Sequence, residues 1–335
     1  MSRPRLLVLS LGGTITMTAS AAGGITPTLG AADLVAAVPG LEAVAEIEAR
    51  SPLKVGSVSL TPENIAEVAQ DIRTAFGAGF DGAVVIQGTD TIEETAFILD
   101  LLVRDERPVV VTGAMRGAQQ PGADGPANLL AAALVAASDA ARGLGTLVVL
   151  NDEIHAARFA RKAHTALASA FVSDTGGPLG LVAEGRARIL ARVAPPATPA
   201  LRALPALAAA PGGLPPVALI KIAMGDDGRL LRAVPDLGFA GLVIEGAGAG
   251  HVPGAIAGAV GEVAARLPVL LASRTLAGPA FERTYGYPGS EIDLIARGVI
   301  PAGLLNGLKA RLLLAFALRA GWEPETIRAA IAAYG

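Results

Sequence analysis

Two threonines stand where a hydroxyl can be made to react. Leu11-Gly12-Gly13-Thr14-Ile15 follows the apolar run Arg5-Leu6-Leu7-Val8-Leu9-Ser10, and Gln87-Gly88-Thr89-Asp90-Thr91 follows a second run, Gly82-Ala83-Val84-Val85-Ile86. Unbroken apolar runs of this length read as strands covered on both faces of a parallel sheet. Glycine at the turn lets the backbone bend sharply and approach a ligand closely. In open α/β sheets ligands sit beyond the carboxyl ends of the strands, which is where both threonines fall. A threonine hydroxyl is a weak nucleophile and needs a base or an activating neighbour. The chain has no cysteine and only His155, His164 and His251 as histidines, which leaves no thiolate, no Cys-ligated metal and too few imidazoles for a His-rich metal site. Lys162 and the carboxylates remain as bases. A lysine serves where burial and nearby positive charge favour its neutral form, and Arg158 and Arg161 stand beside it in sequence. Backbone N–H groups of tight glycine turns stabilise an oxyanion. Together these residues point to amide hydrolysis. The competing nucleotide reading is weak: Leu11-Gly12-Gly13-Thr14 is not G-x-G-x-x-G, no phosphate-binding G-x-x-x-x-G-K-[ST] occurs, and Gly246-x-Gly248-x-Gly250 stands alone. No metal is expected, and a cofactor finds only this weak support.

The elements that must carry these residues are legible around them. Thr61-Pro62-Glu63-Asn64 starts a helix over 62–78, with Thr61 as cap and Pro62 at the first helical position. Further strands are expected at 107–111 and 146–150, with a helix from 125 to about 140 between them. Alternation of strand and helix argues right-handed βαβ units on one sheet. Residues 16–24 are small, polar and Gly-rich, the makeup of a lid beside Thr14 or of a plain surface connector. The 335 residues suffice for two domains. A Pro/Ala/Gly stretch sets the boundary, giving an N-terminal α/β domain over 1–195, a linker over 196–216 and a smaller C-terminal α/β domain over 217–335. In the second domain strands are expected at 217–222, 241–245 and 269–272, and helices near 306–319 and from 323.

Composition closes off other classes. The net charge of −3 argues against nucleic acid as a main partner. No stretch has the ~20 unbroken apolar residues of a membrane span. The short run after Met1-Ser2-Arg3-Pro4 reads as the first strand rather than a signal peptide, so a cytoplasmic location is expected.

The two threonine turns resemble the paired signature motifs of the bacterial-type L-asparaginase/glutaminase family. The second, Gln87-Gly88-Thr89-Asp90-Thr91-Ile92-Glu93-Glu94-Thr95-Ala96, is long and specific. The likeness continues through Pro108-Val109-Val110-Val111-Thr112-Gly113-Ala114-Met115-Arg116, Ala123-Asp124-Gly125-Pro126-Ala127-Asn128-Leu129, Asn151-Asp152, Arg161-Lys162 and Gly177-Pro178-Leu179-Gly180. It is looser at Glu245-Gly246 and Lys309-Ala310-Arg311. The resemblance implies two α/β domains, the larger N-terminal one with a mostly parallel, flavodoxin-like sheet. It implies hydrolysis of L-asparagine to L-aspartate and ammonia without cofactor, and a homodimer or homotetramer with sites at the intimate dimer interface. Thr14 resembles the nucleophile that forms an acyl-enzyme. Thr89, Asp90 and Lys162 resemble a second triad, with Lys162 as base or proton relay. Ser57, Gly88, Thr89, Asp90 and Ala114 resemble the substrate-binding residues. Ser57 matches the serine that takes the α-carboxylate, and Asp90 would take the α-amino group. Glu291 matches the acidic residue a neighbouring subunit contributes to the amino-group site.

Three positions depart from the family pattern. Ile25 stands where a mobile-loop tyrosine is common, Val58 followed by Ser59 where Gln or Glu is common, and Ala249 where Asn is common. Ser59 is thus an accessory candidate, and Tyr285 and Tyr287, two of three tyrosines, are candidates for the missing phenol. The departures leave the choice between asparagine and glutamine open. A subunit of an amidotransferase and a non-catalytic amino-acid-binding protein are the alternative readings.

Overall fold

A computed structural model of the chain describes residues 3–19, 25–27, 29–196, 198–208 and 213–334. Residues 20–24 of the expected lid lie outside the described residues, as does the side chain of Ile25. The chain divides into two compact units, Met1–Pro195 and Pro196–Gly335.

The N-terminal unit is built on an eight-stranded sheet. Its strands are β1 (Arg5–Ser10), β2 (Glu46–Arg50), β3 (Gly82–Ile86), β4 (Val109–Thr112), β5 (Thr146–Leu150), β6 (Glu153–Ala156), β7 (Gly180–Ala183) and β8 (Arg186–Ile189). Their order is β8-β7-β6-β5-β4-β3-β1-β2. The five strands from β2 to β5 are parallel, in the order 2-1-3-4-5. That is the flavodoxin-like order, whose crevice opens between the carboxyl ends of β1 and β3. Both threonine turns leave the sheet there. β1, β3, β4 and β5 are fully buried apart from Arg5, as expected of strands with helices on both faces.

Three helices matter most to the site: α1 (Pro62–Gly77), α2 (Ile92–Leu102) and α3 (Gly125–Ala136). Thr61 caps α1 by accepting from the Asn64 amide at 3.2 Å, while Asn64 Oδ1 accepts from Thr61 N at 3.1 Å. α3 stops at Ala136, four residues before the expected end, and a separate 3-10 turn follows at Asp139–Ala141.

The antiparallel part of the sheet was not legible beforehand. After β5 the chain reverses through Asn151 and Asp152, both with positive φ (52° and 60°). Such a pair matches the twist of a two-residue hairpin. It sends β6 back antiparallel to β5, and β7 and β8 continue antiparallel.

The C-terminal unit has a four-stranded parallel sheet, β9 (Val217–Lys221), β10 (Gly241–Gly246), β11 (Val269–Ser273) and β12 (Ile300–Pro301), in that order. Its helices include α4 (Pro199–Ala208), α5 (Ala257–Ala264), α6 (Glu291–Ala296), α7 (Gly307–Arg319) and α8 (Pro324–Tyr334). α4 lies inside the stretch read as a linker. Thr198 accepts from the Leu201 amide at 3.2 Å, and Leu201 and Leu204 are fully buried as α4 packs on α7. A proline in the first turn costs no hydrogen bond there, so Pro199 marks a helix start.

Candidate active site

The first strand ends in two glycines that no other residue can replace without movement. Gly12 and Gly13 have φ of +109° and +90°. A Cβ on Gly13 would lie 2.0 Å from the Gly88 nitrogen and 2.3 Å from its Cα. The two turns therefore touch backbone to backbone, one residue before Thr14 and one before Thr89. A Cβ on Gly12 would lie 2.5 Å from the Val55 carbonyl oxygen, and one on Gly88 would lie 2.8 Å from Ser57 Oγ. Three loops, after β1, β2 and β3, thus converge on one point.

The side chains follow from that convergence. Thr14 opens a 3-10 turn, Thr14–Thr16, and is half-buried. Thr16 closes the turn, donating its hydroxyl to the Gly13 carbonyl at 2.7 Å. Ser57 is buried, and its carbonyl accepts from the Thr91 hydroxyl at 3.1 Å. Ser59 and Val58 are exposed. Lys162 donates from Nζ to Thr89 Oγ1 at 2.9 Å and to Asp90 Oδ1 at 2.6 Å. The lysine side chain is mostly covered, whereas the Asp90 side chain is 61% exposed.

Several residues that hold this arrangement were not singled out from sequence. Lys162 sits on a short strand, Arg161–Lys162, paired antiparallel with Phe171–Val172. Its own amide donates to Glu93 Oε1 at 3.3 Å, which ties the strand to the first turn of α2. Ser173, just past that pair, is held by buried His155 at 2.9 Å from Nδ1. Asn128 on α3 donates to the Gly113 carbonyl at 3.0 Å, and Asp124 accepts from the Met115 and Arg116 amides at 2.9 Å each. These two side chains fix the loop after β4, and their spacing of four on one helix face was the available signal. Ala114 in that loop is fully buried in the core with Ile15 and Leu129. Arg158, expected to press on Lys162 by charge, lies over the Phe159 ring at 4.7 Å. The partner that touches Lys162 is the Asp90 carboxylate.

The remaining candidates belong to the C-terminal unit. Glu291 begins α6 and is 0% exposed. Its Oε1 accepts from the Thr284 and Tyr285 amides at 2.8 and 2.6 Å, and its Oε2 lies 3.0 Å from His251 Nε2. Burial pushes its carboxyl pKa upward, but the Tyr285 amide, its own amide, the Thr284 amide and the His251 ring outweigh this and hold the pKa below the ordinary glutamate value. Tyr285 and Tyr287 are both partly exposed. Among the described residues no group of three or more His, Cys, Asp or Glu is placed to hold a metal ion, and no helix is long and apolar enough to cross a membrane.

Known proteins carry the same two units. Residues 5–194 match the family Asparaginase, N-terminal, and residues 216–331 match the Glutaminase/Asparaginase C-terminal domain. A probable L-asparaginase of Deinococcus radiodurans is 38% identical, over 98% of this chain and 97% of the relative. L-asparaginase 2 of Escherichia coli is 31% identical, over 98% and 92%. The crystal structure of a probable cytoplasmic L-asparaginase from Campylobacter jejuni superposes with a TM-score of 0.83 at 30% identity, covering 98% of this chain and 99% of that one. With both units matched along nearly their whole length, the chain belongs to the asparaginase family.

Proposed function

We propose that the chain is an L-asparagine amidohydrolase, releasing L-aspartate and ammonia, with residues 1–195 as its catalytic unit. The observation that carries the reading is the contact of Lys162 Nζ with Thr89 Oγ1 at 2.9 Å, beside a turn packed directly on the Thr14 turn. Full-length relatives that bear the name L-asparaginase support it.

In this reading Thr14 Oγ attacks the side-chain amide carbon, ammonia leaves, and an acyl ester on Thr14 remains. Backbone N–H groups of the glycine turns stabilise the oxyanion. Water then cleaves the ester, with Thr89, Lys162 and Asp90 as the second triad and Lys162 as base or proton relay. The exposed part of the Asp90 carboxylate takes the α-ammonium of the substrate, and Ser57 takes the α-carboxylate. Gly88 and Ala114 contribute backbone. The reaction needs no cofactor. Assembly as a homodimer or homotetramer and a cytoplasmic location complete the proposal.

Ammonia release from asparagine and, separately, from glutamine by the purified chain tests the activity and its preference. Thr14→Ala is expected to lower kcat by roughly 10⁴-fold or more with the melting temperature kept. An unchanged rate would refute the assigned nucleophile.

A further inference from the structure

Ser57 is 4% exposed, yet among the described residues its hydroxyl has no hydrogen-bond partner, so its place is set through its backbone. The Ser57 carbonyl accepts twice, from the Leu60 amide that closes its own 3-10 turn (Ser57–Ser59) and from the Thr91 hydroxyl, each at 3.1 Å. Thr91 ends the turn Thr89–Thr91, two residues past Thr89. A carbonyl oxygen only accepts, so the Thr91 hydroxyl proton points to Ser57 and its lone pairs face the other way. Gln87 Nε2 donates to the Thr91 oxygen at 3.1 Å and to the Gly88 carbonyl at 3.2 Å. With acceptors at both contacts, the amide nitrogen takes this side and Oε1 is turned away. Gln87 is 0% exposed, and among the described residues its Oε1 has no partner. A buried carbonyl oxygen without a donor is costly, whereas an apolar side chain of the same length fills such a space without that cost. Stability alone does not account for an amide here; its two donated hydrogen bonds do. The chain Gln87–Thr91–Ser57 thus crosses from the loop after β3 to the loop after β2. On the hydroxyl side no side chain fits between the two loops, since a Cβ on Gly88 would lie 2.8 Å from Ser57 Oγ.

We propose that Thr91 and Gln87 are positioning residues for the carboxylate end of the substrate: Thr91 clamps the Ser57 carbonyl, Gln87 aims the Thr91 hydroxyl, and the Ser57 hydroxyl stays unspent for the α-carboxylate. The proposal rests on the amidohydrolase reading, with Ser57 in its α-carboxylate role, and deepens it. Both residues act through Ser57 and not on the substrate. Because Thr91 and Thr89 share one turn, the clamp also ties the carboxylate end to the hydroxyl that Lys162 contacts. A serine released from the clamp loses its aim on the carboxylate while the reacting groups stay as they were. Its signature is therefore a rise in KM with kcat kept, the mark of binding lost equally in ground state and transition state.

Full-length wild type, Ser57→Ala, Thr91→Val, Thr91→Ser and Gln87→Met are compared in asparagine hydrolysis, with Thr91→Val and Gln87→Met also placed in the Ser57→Ala background. Melting temperatures are followed by circular dichroism. Ser57→Ala and Thr91→Val are each expected to raise KM roughly 10-fold and to change kcat by less than about 3-fold. Thr91→Ser keeps the hydroxyl and is expected to restore KM to within about 2-fold of wild type. In the Ser57→Ala background Thr91→Val is expected to add less than about 2-fold, because the hydroxyl it aims is gone. Gln87→Met is expected to raise KM about 5-fold with the melting temperature kept, since the unpaired oxygen leaves with the amide. An unchanged KM in Thr91→Val, an equal loss with and without the Ser57 hydroxyl, or a Thr91→Ser no better than Thr91→Val would overturn the proposal. If Thr91→Val does not fold, Gln87→Met with and without the Ser57 hydroxyl decides on the same terms. A wild-type KM in Ser57→Ala would overturn the role of Ser57 and the proposal with it. A wild type that releases ammonia from neither asparagine nor glutamine would instead overturn the amidohydrolase reading.

Discussion

Asp90 and Glu291 are carboxylates matched by resemblance to the same task, binding the amino group of the substrate, and their surroundings are opposite. Asp90 lies within the turn after β3, with 61% of its side chain exposed and a single lysine at 2.6 Å. Glu291 is 0% exposed, and amides and an imidazole of its own unit occupy both of its oxygens. A carboxylate open to water keeps acceptor capacity for a ligand, whereas one sealed among donors has spent it on the fold. Residue type does not separate the two cases; burial does.

The sharpest way to break the contrast is at Lys162. Lys162→Met is expected to lower kcat by roughly 10³-fold, because the proposed base or proton relay of the Thr89 triad is gone. The melting temperature should barely move, since an ion pair with so exposed a carboxylate adds about 1 kcal/mol at most. A large thermal loss with activity retained would turn Lys162 into a structural residue.

Two histidines, His155 buried and His251 partly exposed, extend the same contrast. His251 has a carboxylate at 3.0 Å, whereas His155 has Ser173 at 2.9 Å and its nearest carboxylate, Glu153, only at 3.8 Å. Burial pushes the His155 pKa down to about 4 from 6.5. Between those values the unfolded chain binds a proton that the folded unit refuses. Stability from this group is therefore full above pH 6.5 and falls by roughly 3 kcal/mol as the pH drops to about 4. Urea unfolding followed by circular dichroism across this range should show the loss, and His155→Gln should flatten it.

A smaller effect is expected at the sealed carboxylate. Glu291→Gln should cost about 2 kcal/mol near neutral pH, through weakened charge-assisted hydrogen bonds. The fluorescence of Trp322, the one tryptophan of the chain, reports on the C-terminal unit that holds it. The folded pKa of Glu291 lies below its ordinary value, so its contribution is present at neutral pH and fades as the pH falls through the folded pKa. The gap between wild type and variant should shrink in acid. A gap that stays constant would mean the charge is not what the loop uses.

The least effect is expected at Ser59, which is exposed beside buried Ser57. Ser59→Ala should change stability and substrate binding by about 0.5 kcal/mol or less. A larger rise in KM would make Ser59 a ligand in its own right.

Much of the frame was readable along the chain. β1, β3 and β5 occupy the residues their apolar runs mark, and α1 begins at the Thr61-Pro62 signal. Asn306 caps α7 by accepting from the Lys309 amide at 3.0 Å. These features depend on side-chain period, on caps and on turn glycines, all of which act within a few residues. The edge of the sheet was harder. β6 to β8 are only four residues each, and β7 and β8 are only partly buried, so they carry little periodic signal. α4 was hidden because its prolines read as linker, and only packing against α7 shows its leucines to be core.

Local chemistry in the residues was enough to single out Thr14 and Thr89, the glycines before them and Lys162 as candidates, because each needs only a residue type and a turn. Their meeting was decided in three dimensions. Lys162 reaches Thr89 across 73 residues of chain only because β3 lies beside β1 and the short Arg161–Lys162 strand is tied to α2. Burial of Glu291 and its alignment with His251 and Tyr287 likewise come from packing of the 280–291 loop, since a linear pattern holds no record of which oxygen a distant donor will find.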